Sequence, residues 1–113
     1  MSVFKQGKIT IQTNDVMGYT FKFPICTSAT ANDGAIPYGR TIASAVVVAY
    51  DKSGNTVSSE LISGTPSLDA VTVTVVLKYP ASGDGRYKLT FKLTLDNGWT
   101  REVDFTTVYC ETI

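Results

Sequence analysis

Side chains able to do chemistry are few in this sequence and poorly spaced for it. Serine and threonine hydroxyls are plentiful, but a hydroxyl nucleophile needs a neighbouring base, and the chain contains no histidine. The same absence removes nearly all zinc sites and the commonest general acid/base. Asp33, Asp84 and Asp96 fall in turn-like segments. Two of them meeting in space would form an acid/base pair, but aspartate in such places ordinarily bonds nearby backbone and shapes the turn, which is the reading adopted. Asn32-Asp33-Gly34 offers only a fragment of the oxygen cluster that a calcium loop requires. The glycine-containing stretches lack the spacing of a phosphate loop. The expectation is a protein that is not an enzyme, with no catalytic residue, no cofactor, no metal and no small-molecule substrate.

Charge narrows the partners. Lys+Arg and Asp+Glu are 10 each in 113 residues, so the formal net charge is zero, which argues against nucleic acid as a partner. The longest apolar stretch, Ala45 to Tyr50, falls well short of the roughly 20 residues that span a bilayer, so no membrane partner is expected. Met1 to Gln12 has no uninterrupted apolar run and no small-residue cleavage site, so the expectation is folding in the cytoplasm without a signal peptide. Cys26 and Cys110 leave two readings open. One is a long-range disulfide, which would contribute about 4 kcal/mol through loop entropy. The other is a pair of reduced thiols, ordinary where no secretion signal is present.

The elements that would position these residues are strands. Hydrophobic residues make up 43% of the chain, enough for a core. Threonine and valine dominate, both suited to a pleated, half-buried surface. From Arg86 to Leu95, Tyr87, Leu89, Phe91, Leu93 and Leu95 fall on one face and Arg86, Lys88, Thr90, Lys92 and Thr94 on the other. From Ala70 to Tyr79, Val71, Val73, Val75 and Leu77 share a face. Ile42 to Tyr50 is apolar on both faces, which predicts an interior strand or one covered by a second subunit. Weaker strands are expected at Lys8–Gln12, Met17–Phe23, Thr56–Ile62 and Thr100–Tyr109. About seven strands with turn signals between them suit an antiparallel sandwich occupying residues 1–113 as one domain.

The hairpin around Asp96-Asn97-Gly98 permits a finer deduction. A two-residue Asn-Gly turn would set core-facing Leu93 opposite Glu102. A three-residue loop with Gly98 left-handed instead pairs Leu95 with Trp99, Phe91 with Val103 and Leu89 with Phe105. It also sets Lys92 against Glu102 and Thr90 against Asp104 on the other face. The second register is expected, with Trp99 packing across onto Leu95. Asp51-Lys52-Ser53-Gly54-Asn55 reads as a second tight turn.

Ser82-Gly83-Asp84-Gly85-Arg86-Tyr87 resembles the tyrosine corner of immunoglobulin-like sandwiches, in which the ring packs inward and its hydroxyl bonds back to the backbone. Leu89 stands where antibody domains carry their second cysteine, and no tryptophan falls on the third strand. The resemblance therefore implies an immunoglobulin-like antiparallel sandwich without the internal disulfide, with Gly85, Tyr87, Gly98 and Trp99 as its structural residues.

A wider pattern runs through Asp15-Val16-Met17-Gly18-Tyr19-Thr20-Phe21-Lys22-Phe23, Arg40-Thr41-Ile42-Ala43-Ser44-Ala45 and Thr72-Val73-Thr74-Val75. It continues through Gly83 to Phe91 and Leu95 to Phe105. In its order of elements it resembles small tailed-phage and prophage proteins of the fiber–tail adaptor kind. That resemblance implies a non-enzymatic virion component, assembled in the host cytoplasm with other virion or tail proteins or with copies of itself. Segments least explained by core packing are the N-terminal arm Met1–Asn14 and the loop Pro24–Arg40. Pro24, Asp33, Pro37, Tyr38 and Arg40 of that loop are the expected partner contacts. The alternative is a bacterial immunoglobulin-like adhesion or carbohydrate-binding module that stacks sugars on Tyr38, Tyr79 or Trp99.

Overall fold

Alternating side chains build most of the molecule. The computed structural model describes residues 9–112. In chain order these form β1 (Ile9–Gln12), β2 (Val16–Lys22), β3 (Ile42–Tyr50), α1 (Ser58–Leu61), β4 (Ser67–Asp69), β5 (Thr72–Lys78), β6 (Gly85–Leu95) and β7 (Thr100–Glu111). A four-stranded sheet, in the order β1-β7-β6-β3, packs against a three-stranded sheet, β2-β5-β4. The protein is an all-β sandwich. No helix among the described residues is long and apolar enough to cross a membrane.

The core lies between the sheets. Val73, Val75 and Leu77 of β5 and Leu89, Phe91 and Leu93 of β6 are almost wholly inaccessible to water. Phe21 and Phe23 descend from the smaller sheet onto Phe91, with ring centroids 4.7 and 5.3 Å away, and Phe21 also meets Phe105 edge-on at 5.1 Å. Burying each such ring contributes about 1.5–3 kcal/mol, so this aromatic cluster is a principal bond between the layers.

Two bulges correct the phase of the alternation. In β7 the inward residues switch from odd (Val103, Phe105) to even (Val108, Cys110), and the ladder with β6 slips by one residue between Tyr87 and Leu89 to absorb the change. In β3 the inward set passes from Ile42 to Val47 and Ala49, with a slip between Ile42 and Ser44. An extra residue in one strand keeps both halves facing the core.

Several sequence-based expectations change. The pairing is not wholly antiparallel, because β1 runs parallel to β7, Ile9 beside Val108 and Ile11 beside Cys110. Ile9–Gln12 forms the strand expected at Lys8–Gln12, with Ile11 fully buried, so these residues are not part of a free arm; Met1–Lys8 lie outside the described residues.

Thr56–Ile62 is not a strand. Val57 and Leu61, four residues apart, are both buried, a helical spacing, and the Leu61 N–H reaches the Val57 carbonyl at 3.1 Å in the turn of α1. The short strand β4 is additional to those expected.

Of the two placements expected for Ile42–Tyr50, the interior one is corrected: the segment is an edge strand, the position that a second subunit would cover. Its double-sided apolarity has a local cause: Ala45, Val47 and Ala49 sit beside the larger Leu93, Phe91 and Leu89 of β6, while Val46 on the outer face is 60% exposed. The edge is partly capped, since the Ile42 N–H bonds the Ala70 carbonyl and the Ala49 N–H donates to Ser58 Oγ at 3.0 Å.

The loop Pro24–Arg40 is also not peripheral, because Ala35 and Ile36 at its centre are fully buried. Cys26 and Cys110 are both free and buried, so the thiol reading describes this structure.

Candidate functional site

The loop Pro24–Arg40 closes one end of the sandwich through a backbone clamp. The Pro24 carbonyl accepts the N–H groups of Ala35 and Ile36 at 2.8 and 3.0 Å, and the Ile36 carbonyl accepts that of Cys26 at 2.8 Å. Between them sits Gly34, where a Cβ would lie 2.4 Å from the Cys26 nitrogen, so only glycine fits. Asp33 spans the loop tip. Its carboxylate accepts the Thr27 N–H at 2.9 Å and the Thr27 hydroxyl at 2.7 Å. These bonds hold the Asp33 carboxyl below the usual carboxylate range. Both of its oxygens are thus engaged inside the loop, which makes Asp33 a brace.

The hairpin of β6 and β7 forms the other half of this end. Its register is the expected one: Leu89 beside Phe105, Thr90 beside Asp104, Phe91 beside Val103 and Lys92 beside Glu102. Gly98 has φ +86°, the Leu95 N–H donates to the Trp99 carbonyl at 2.7 Å, and the Gly98 N–H donates to Leu95 at 3.0 Å. The loop and hairpin are tied together where they meet. The Asp96 N–H bonds the Thr41 carbonyl at 2.9 Å, and Arg40 lies 3.7 Å from the Asp96 carboxylate. That ion pair is solvent-exposed and contributes at most about 1 kcal/mol, so it orients the junction more than it stabilises it.

Trp99 does not pack onto Leu95. It is 62% exposed, whereas Leu95 is covered from its other side by Ile42. The cause is the shortness of β1, which borders β7 only along Val108–Glu111 and leaves the Trp99 end of β7 as a sheet edge. Arg101, opposite Leu93 on the same face, is likewise exposed and borders a small hollow of about 120 Å³ together with Tyr38 and Pro37. Tyr38 is 58% exposed. Pro24 and Pro37 are half-buried, and the Pro37 carbonyl accepts the Arg40 N–H at 3.1 Å. Of the expected contact residues, Tyr38 and Asp33 are exposed, Asp33 with its carboxylate bonded within the loop, while Arg40 is partly exposed beside Asp96. Arg101 was not singled out from sequence, although a charge at a core-facing position of β7 is a sign that the core ends there.

Gly85 and Tyr87 stand at the opposite end. Gly85 opens β6 beside Cys110. Tyr87 is 3% exposed, and its hydroxyl donates to the Gly83 carbonyl at 2.7 Å. Burial pushes its pKa above the usual phenol value, with smaller contributions from neighbouring negative groups, chiefly Cys110 as thiolate. Tyr79, offered above as a stacking platform, is tied by its hydroxyl to Asp84 and Thr112. Among the described residues no cluster of three His, Cys, Asp or Glu could hold a metal ion.

No protein-family model and no curated relative matches the chain.

Proposed function

We propose that this protein is a non-enzymatic structural module of a tailed-phage or prophage particle, joining neighbouring tail or virion proteins, or copies of itself, by surface contact. The observation that carries the reading is the exposure of Trp99 and Tyr38 beside Arg101 on braced backbone. Tryptophan, tyrosine and arginine are the residue types enriched where partner proteins bind most strongly. Held on a clamped loop and a closed hairpin, they would lose little freedom on docking. An immunoglobulin-like topology is supported by the order β2-β5-β4 opposite β7-β6-β3 and by the Tyr87–Gly83 bond.

Co-sedimentation with tail proteins encoded beside its gene tests the reading. Co-migration that is lost in Trp99→Ala supports it; co-migration unchanged in Trp99→Ala and Tyr38→Ala removes this end as the contact. The same two exposed aromatics support the second reading, a carbohydrate-binding module. A glycan-array signal that disappears in Trp99→Ala would favour that instead.

A further inference from the structure

Beyond that reading, the far end of the sandwich carries a different surface. Where β3 runs into the Asp51–Asn55 turn alongside the start of β6, an open groove of about 570 Å³ is lined by Tyr50, Asp51, Lys52, Arg86 and Lys88. In a chain of zero net charge, three of the ten cations gather on this one concavity.

The acids beside these cations are satisfied elsewhere, by neutral donors. Asp51 accepts the backbone N–H groups of Ser53 and Asn55 at 2.9 Å each, and the Asn55 amide as well. Asp84, two residues from Arg86, is bonded by the hydroxyls of Tyr79 and Thr112. Lys88 extends over the Tyr50 ring, 5.2 Å from its centroid, and reaches Asp104 only at 3.9 Å on an exposed face. Three cations thus outnumber the one carboxylate lining the groove, Lys52 and Arg86 have no ion-pair partner among the described residues, and Arg86 offers the planar fork that suits a carboxylate.

We infer that this groove binds an acidic segment of a partner protein, its Glu and Asp carboxylates meeting Arg86, Lys52 and Lys88. Three cations around a short concavity match a few carboxylates of a peptide. A nucleic-acid strand would call for a longer basic track with free aromatic faces; of the two tyrosines that line the groove, Tyr87 is buried and the face of Tyr50 is taken by Lys88.

The experiment uses the full chain, isotope-labelled for NMR and titrated at low salt with a short synthetic peptide of alternating glutamate and serine. Amide shifts confined to residues 50–54 and 86–88 are expected. Binding should weaken about fivefold in Arg86→Gln and in Lys52→Gln, each replacing an exposed side chain, and should fade with added salt. Shifts that are absent, that scatter over every surface lysine, or that persist unchanged in Arg86→Gln would overturn the inference. Tighter binding of oligothymidylate at the same amides would overturn it as well and assign the groove to nucleic acid. Because the probe touches neither Trp99 nor Tyr38, failure here leaves the contact proposed for the other end standing on its own test.

Discussion

The hydroxyl of Tyr87 donates to the Gly83 carbonyl at 2.7 Å while its ring lies 3% exposed between the sheets, so one side chain serves both core and turn. Tyr87→Phe keeps the ring and strands the carbonyl. It should lower unfolding free energy by about 1 kcal/mol in urea denaturation, with unchanged far-ultraviolet dichroism. No change in midpoint would mean that water replaces the phenol at no cost.

Gly34 and Gly39 give opposite forecasts within one loop. Alanine at Gly34 collides with backbone at 2.4 Å and should cost roughly 3 kcal/mol or more, because the clamp between Pro24 and Ile36 must open. Gly39 has φ +75° with nothing near its missing Cβ, so alanine there carries only the left-handed strain, about 1–2 kcal/mol. Thermal melts of the two variants check the order; equal losses would contradict the clamp.

Asp33 makes the same loop sensitive to acid. Its carboxyl is depressed in the folded protein, so the brace is present above the ordinary aspartate value of 3.8 and is lost as pH falls through the lower folded value. Asp33→Ala should accelerate thermolysin cleavage between Thr27 and Asp33 at neutral pH. Cleavage at the rate of the parent protein would show that the backbone clamp suffices.

At the alkaline end, Cys110 should dominate. Desolvation, aided by the negative charge of Asp84, pushes its thiol from 9.0 up to about 11. A raised folded value means that the neutral thiol supports the fold, fully below pH 9, with that support lost as pH climbs from 9 to 11. Urea midpoints across this range should fall by an amount equivalent to about 2 kcal/mol, and Cys110→Ala should flatten the decline up to the onset of tyrosine ionisation. A parent profile already flat would refute the assignment.

Trp99 is the sole tryptophan, which makes its exposure easy to read. Its fluorescence should be red-shifted and quenched by acrylamide nearly as readily as free indole. A blue-shifted, protected emission from the isolated protein would contradict the exposed position.

How much of this was legible in the sequence follows from which features are local. The hairpin register could be deduced because a one-residue slip reverses every side chain, and Lys92–Glu102 with Thr90–Asp104 admitted only one solution. Strand direction leaves no such mark, so nothing in Ile9–Gln12 announced its parallel pairing with β7. The apolar run of β3 does not distinguish an interior strand from an edge one, because an edge strand with small inward residues has the same composition as a central one. Ile36 and Ala35 were hidden by their polar neighbours in the loop. The basic groove joins Lys52 to Arg86 and Lys88 across more than thirty positions, and only the β3–β6 pairing brings them together. The hairpin register places Trp99 across from Leu95 but does not say whether a further strand covers that end of β7; the limited reach of β1 is a tertiary fact.

That short β1 strand has a mechanical consequence. It lies parallel to the far half of β7, so tension applied at the two extremities draws the neighbouring ribbons lengthwise past one another. Every hydrogen bond of the junction is then strained at once instead of peeling open in turn. A module joined this way is suited to carrying load along its long direction.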